Sequence, residues 1–161
     1  MGGSVAAEAE TRYAVTADGV YIAYQTRGNG ADDLVFIPGF AWNYEVALEE
    51  PHFLRMVEAM AARWRVILFD KRGTGLSDRQ NTPDLEMRAD DLRAVLDATD
   101  SRSAVLVGQA EGAALAAFFA ASYRNVSPHS WPWTGRRGSP GRLITPWAFR
   151  GKPSRLIPTG W

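Results

Sequence analysis

The sequence has no cysteine, which excludes disulfides, thiolate metal sites and a cysteine nucleophile and fits a reducing compartment. Histidine is almost as scarce: His52 and His129 are the only two, and neither belongs to a close set of histidines and carboxylates that could hold a metal. No metal or cofactor is expected. Acids are missing from the C-terminal end, where residues 124–161 carry 7 basic residues and no Asp or Glu. Residues 1–123 carry 18 acids and 11 bases, a net of −7, so the overall net charge of zero hides two differently composed segments. That zero gives no global reason to expect nucleic acid or an anionic membrane as partner. Met1 to Glu10 has neither a basic n-region nor an apolar core, so no secretory leader is visible and the cytoplasm is the expected location.

Long hydrophobic runs are few as well. Only Ser103 to Tyr123 has the look of a membrane span, and it carries Gln109 and Glu111 at its centre, where an acid costs about 2.5–3.5 kcal/mol in a bilayer. A buried strand followed by a buried helix explains it better, and no membrane partner is expected.

What is present alternates between strand and helix signals. Tyr13 to Thr26 is rich in Tyr, Val and Ile and is interrupted by Asp18-Gly19, which predicts an N-terminal hairpin. Leu34 to Ile37 and Arg65 to Phe69 are short, largely apolar runs closed by glycine-containing loops, the pattern of buried strands. Between them Pro51 opens a helix over 51–63, with Phe53, Val57 and Met60 inward and Arg55 and Glu58 outward. A second helix is expected to be capped by Thr82 and started by Pro83, with Leu85, Ala89, Leu92 and Leu96 at helical spacing. Ala104 to Val107 then runs through Gly108-Gln109-Ala110-Glu111-Gly112 into a small-residue helix. Units of this kind predict an α/β fold, a mostly parallel sheet with helices on both faces. The Asp70 to Ser77 loop lacks G-x-x-x-x-G-K-[ST] and leads into no helix, so its glycines are turn residues, with Asp70 and Arg72 expected to tie the loop together. Gly28-Asn29-Gly30 likewise reads as a turn and not a dinucleotide fingerprint.

Three motifs in order carry a resemblance: Ile37-Pro38-Gly39-Phe40, then Phe69-Asp70-Lys71-Arg72-Gly73-Thr74-Gly75-Leu76-Ser77-Asp78, then Val107-Gly108-Gln109-Ala110-Glu111-Gly112. Over about residues 12–123 the sequence resembles the N-terminal half of the α/β-hydrolases, and looks most like bacterial hydrolase-like domains found alone or fused to adenylate cyclase or regulator modules. The resemblance implies a truncated α/β-hydrolase fold whose ancestor hydrolysed an ester or related acyl bond, with a small acyl compound as substrate or ligand. It also implies a G-x-S-x-G elbow at 108–112, where Gly108 and Gly112 permit the tight turn. The nucleophile position is Ala110, and a methyl group cannot attack a carbonyl. The oxyanion hole would use the backbone N–H groups of Phe40 and Glu111, whose side chains are not constrained by that role. Glu111 is equally explained by its favourable charge at a helix start. The late acid and histidine of the family have no counterpart at the matching distance; His52 and His129 read as solvated or capping residues. No intact catalytic set is therefore expected, and the chain reads as a truncated pseudoenzyme.

Residues 124–161 hold six of the nine prolines and four of the six tryptophans, which leaves no helical or alternating period and predicts a segment without fixed structure, as does the flexible stretch 1–11. A basic, aromatic tail can bind single-stranded nucleic acid by charge and stacking. Its acid-free, Arg/Pro/Gly/Ser/Trp-rich composition is also what a shifted reading frame of a GC-rich gene encodes, and that origin is favoured over nucleic-acid binding. A non-catalytic binding or regulatory module is the remaining alternative to a hydrolase. With no following strand in the pattern, Ala104 to Val107 is expected to form an apolar sheet edge that invites self-association.

Overall fold

The computed structural model describes residues 10–40, 42–80 and 83–123. Thr82, His129, most of the expected N-terminal flexible stretch and the basic tail lie outside them. An N-terminal hairpin forms as the Asp18-Gly19 signal requires, with β1 (Arg12–Val15) antiparallel to β2 (Tyr21–Arg27). The apolar runs become β3 (Asp33–Ile37), β4 (Arg65–Phe69) and β5 (Ala104–Gly108). Every residue of β3 is buried, as befits a strand with neighbours on both edges and helices on both faces.

The strand order is β1-β2-β4-β3-β5. β3 pairs in parallel with β4 and β5, whereas β2 pairs antiparallel with both β1 and β4. The mostly parallel sheet expected from the sequence is thus realised over three strands, and the sheet as a whole is mixed. Alternation along the strands divides the core in two. Ile22, Val35, Ile37, Ile67, Phe69 and Leu106 face α3 (Leu85–Ala98) and α4 (Glu111–Ser122), meeting Leu92, Val95, Leu96, Leu115 and Phe119. Ala23, Leu34, Phe36, Val66 and Leu68 face the other way, toward Tyr44 of α1 (Tyr44–Glu49) and Val57 of α2 (Pro51–Ala61).

The helix over 51–63 is α2, with Val57 buried, Phe53 and Met60 half-buried and Arg55 and Glu58 exposed. The structure adds α1, which six residues with no apolar period did not announce; Asn43 caps it, its Oδ1 accepting from Glu45 N at 2.9 Å and Val46 N at 3.3 Å. The start expected for α3 at Thr82-Pro83 is corrected. The cap is Asp84, whose carboxylate accepts from Met87 N at 2.8 Å, so the helix begins at Leu85 and Pro83 precedes it.

Candidate functional site

The C-terminal ends of β3, β4 and β5 lie together at one edge of the sheet, where open α/β sheets place their ligand sites. There the chain turns sharply from β5 into α4. Gln109 N donates to Ile37 O at 3.0 Å, Gly112 N to Gln109 O at 2.8 Å and Ala113 N to Ala110 O at 3.0 Å. Ala110 is held at φ 50°, ψ −120°, outside the regions an L-residue occupies freely, at a cost of order 1–3 kcal/mol. The two flanking glycines explain how the turn can be so tight. A β-carbon on Gly108 would lie 2.5 Å from Ala113 N, and one on Gly112 would lie 2.7 Å from Pro38 O and closer still to Ile37 O.

The loop after β3 abuts this turn, since a β-carbon on Gly39 would sit 3.4 Å from the Ala110 methyl. Phe40 follows with 81% of its surface exposed. The structure therefore sets Gly39 beside Gln109 and Ala110, with Phe40 and Glu111 adjacent in the chain on either side. Ala110 provides no side-chain cap to α4, so the first N–H groups of that helix have no partner from it.

Glu111 does more than favour a helix start. Its carboxylate takes an ion pair from Lys71 in the loop after β4 and another from Arg88 of α3 at 3.1 Å. Lys71 is 5% exposed, and its hydrogen bond is the largest influence holding the Glu111 carboxyl below the usual carboxylate range. This link between three elements was missed from the sequence, where its members stand 17 and 23 residues apart. Charge alone gave no local signal for it.

Asp70 closes β4 and is fully buried, its carboxylate accepting from Tyr44 N and from Leu76 N, each at 2.9 Å. Burial pushes its pKa up to about 6 against the pull of those two donors. Ser77 Oγ donates to Asp70 O at 2.7 Å and accepts from Ala23 N at 2.9 Å, docking the loop on β2. The expectation that Asp70 and Arg72 together tie this loop is half corrected. Arg72, 3% exposed, reaches outward from the loop to Asp91 of α3, with Nη2 to Oδ1 at 2.6 Å, and to Asp18 of the hairpin turn, with Nη1 to Oδ2 at 2.9 Å. The Arg72 hydrogen bond holds Asp18 down to about 2.

His52 is exposed in the first turn of α2, with Nδ1 2.8 Å from Arg55 Nη2, and is not part of the β5–α4 turn. An open recess of about 620 Å³ lies between α1 and the hairpin, bordered by Gln25, Arg27, Glu45 and Glu49, and shares no residue with the turn. Among the described residues no group of three or more His, Asp or Glu could hold a metal, and no helix is long and apolar enough to cross a membrane.

A model of the alpha/beta hydrolase fold matches residues 33–130. The chain belongs to the α/β-hydrolase fold family. Solved structures agree. An esterase from Rhodococcus sp. is 32% identical, the match covering 70% of this chain and 41% of that one with a TM-score of 0.61. An α/β hydrolase from Sphaerobacter thermophilus is 28% identical, covering 70% and 40% at a TM-score of 0.60. The meta-cleavage product hydrolase of Pseudomonas fluorescens, solved as a serine-to-alanine mutant complexed with acetates, shares the fold at 24% identity, covering 70% and 40% at a TM-score of 0.60. The chain spans about two fifths of the length of these hydrolases.

Proposed function

We infer that the chain binds a small acyl or carboxylate compound at the β5–α4 turn and does not hydrolyse it through a serine. The observation that carries this reading is Ala110 in the strained turn between two indispensable glycines, at the position where the resemblance expects the elbow serine. A methyl group forms no acyl-enzyme. The backbone N–H groups of Glu111 and Phe40 are the candidate oxyanion donors, and they depend on main-chain geometry that the alanine does not alter. A carboxylate ligand would present to them the charge that a tetrahedral intermediate develops in an active relative. The esterase relative supports acyl compounds as the ligand class.

General-base chemistry has equally little support. Residues 112–161 contain no Asp or Glu and one histidine, His129, so that stretch supplies no acid–histidine pair. The cysteine-free sequence supports a cytoplasmic location. The test combines release of p-nitrophenol from p-nitrophenyl acetate with calorimetric titration of butyrate. Saturable butyrate binding without ester turnover above the buffer rate is expected. Turnover by the wild-type chain overturns the non-hydrolytic reading, and absence of binding overturns the ligand reading.

A further inference from the structure

The recess between α1 and the hairpin has two unlike walls. On one side Gln25 and Arg27, two residues apart in β2, share the sheet face that carries Ala23 into the core beneath α1 and α2. On the other, Glu45, Leu48 and Glu49 recur three and four residues apart and so stand on one side of α1. The β2 wall offers donors. Gln25 is only 6% exposed, and its Oε1 accepts from Arg27 Nε at 3.2 Å. Its Nε2 meets no acceptor among the described residues, and neither do the two Arg27 Nη atoms. An amide N–H buried without an acceptor is a cost that the fold itself does not repay here.

The α1 wall offers acceptors. Glu45 Oε1 accepts from Thr11 Oγ1 at 3.0 Å, but neither Glu45 nor Glu49 has a cationic partner among the described residues. Four residues apart on one helix, the two like charges repel, and Glu49 stands at the last position of α1, whose last turn has no basic residue. Glu10, at the rim, is already paired with Arg12 at 3.7 Å. Cation and unmet amide thus face the recess from β2 and two anions face it from α1, across a space of about 620 Å³, within the range of small-molecule sites.

We propose that this recess binds a small zwitterion, an amino acid with its ammonium and its carboxylate at opposite ends of a short aliphatic chain. The carboxylate accepts from Gln25 Nε2 and from the Arg27 guanidinium, and the ammonium donates to Glu45 and Glu49. Leu48, half-buried in the same recess, gives the methylenes an apolar surface. A simple anion leaves the two glutamates uncompensated, and a simple cation leaves the Gln25 amide and the guanidinium without an acceptor, so each meets half of what the walls present. The site shares no residue with the β5–α4 turn and does not depend on what binds there.

Proton–nitrogen correlation NMR of the full chain, titrated with 4-aminobutyrate, reads the proposal at the Gln25 side-chain amide and at the backbone amides of Thr11 and Leu48. Saturable shifts of these signals are expected, with butyrate and butylamine, each lacking one charge, about tenfold weaker at the same signals, the worth of one hydrogen bond to a charged group. Glu49→Gln should weaken 4-aminobutyrate about tenfold while melting no lower than wild type, because it relieves the repulsion from Glu45. No saturable shift at the Gln25 amide overturns the proposal, as does unchanged affinity in Glu49→Gln. Butylamine binding as tightly as 4-aminobutyrate makes the recess a cation site and overturns the zwitterion. Shifts confined to residues 108–113 place the compound at the β5–α4 turn and overturn it too. Those same turn signals report butyrate at the turn separately, so the two readings fail independently.

Discussion

Gly112 stands so close to the carbonyl group of Ile37 that a β-carbon on it would lie 2.9 Å from the carbonyl carbon and nearer still to the oxygen. The first turn of α4 is therefore seated directly on the end of β3, and the Ala110 turn has no room to relax into an ordinary strand-to-helix connection. Gly112→Ala is expected to destabilise by about 3 kcal/mol or more, the upper range for overpacking against atoms that cannot rotate away. Urea unfolding measures it; a change under 1 kcal/mol would mean that the contact yields.

Ala110→Gly should act in the opposite direction. Its φ of 50° penalises any side chain, and removing the methyl relieves that strain while freeing the unfolded chain slightly. A net gain of about 1 kcal/mol is expected from the same unfolding experiment, and a loss would show that the methyl makes contacts worth more than the strain.

Ala110→Ser restores the hydroxyl but not a base to accept its proton. Loss of a triad base alone lowers kcat by about 10⁶ in a serine protease. No burst and no turnover of p-nitrophenyl acetate above wild type are expected. Serine-dependent turnover that His129→Ala abolishes would assign the base to that histidine.

Arg72 and Asp91 are both almost fully buried, with side-chain exposures of 1% and 2%. Asp91→Asn removes the buried anion and leaves the guanidinium with the half-exposed Asp18 as its remaining carboxylate partner among the described residues, and is expected to cost about 3–5 kcal/mol, as breaking a buried pair does. Asp18→Asn, at the exposed end of the same arginine, should cost far less. Thermal melts of the two variants give the order, and equal losses would contradict it.

Asp70 predicts a pH dependence of definite sign. Its folded pKa of about 6 lies above the ordinary aspartate value of 3.8, so the folded protein holds the proton more tightly. The stability this contributes is complete below about pH 4 and is lost as pH rises through 6, a difference on the order of 3 kcal/mol. Asp18, held down to about 2, behaves oppositely: its contribution is present above about pH 4 and lost as pH falls toward 2. Carbon-detected NMR titration of the Asp70 carboxyl should give a midpoint near 6, and Asp70→Asn should remove the corresponding slope in unfolding free energy between pH 4 and 6. A midpoint below 4 would contradict the effect of burial.

The parts legible in the sequence are those governed by near neighbours. The apolar runs of β3, β4 and β5 announced themselves because buried strands need no alternation, and Gly108-x-Ala110-x-Gly112 announced a tight turn because only glycine fits on either side. α1 was illegible because six residues carry too little period, and its stability comes from the Asn43 cap and from Tyr44 beneath it. The start of α3 was misplaced because Thr82 and Asp84 both stand beside Pro83 as residues able to cap a helix, and sequence alone does not say which carboxylate or hydroxyl reaches a backbone N–H; Asp84 takes that of Met87. Arg72 was expected to tie its own loop together with Asp70, and its outward role was hidden because its partners lie 54 and 19 residues away, a distance over which sequence pattern carries no information. The Lys71–Glu111–Arg88 link was hidden for the same reason.

The strand order has a consequence for how the chain is made. β2 and β3 follow one another in sequence but are separated in the sheet by β4, which pairs with both. During synthesis β2 can close on β1 at once, whereas β3 has no partner until residues 65–69 leave the ribosome, a few seconds later at about 5–20 residues per second. Through that interval its Leu-Val-Phe-Ile run has no parallel neighbour to pair with, so the codons between β3 and β4 set how long that apolar strand stays uncovered.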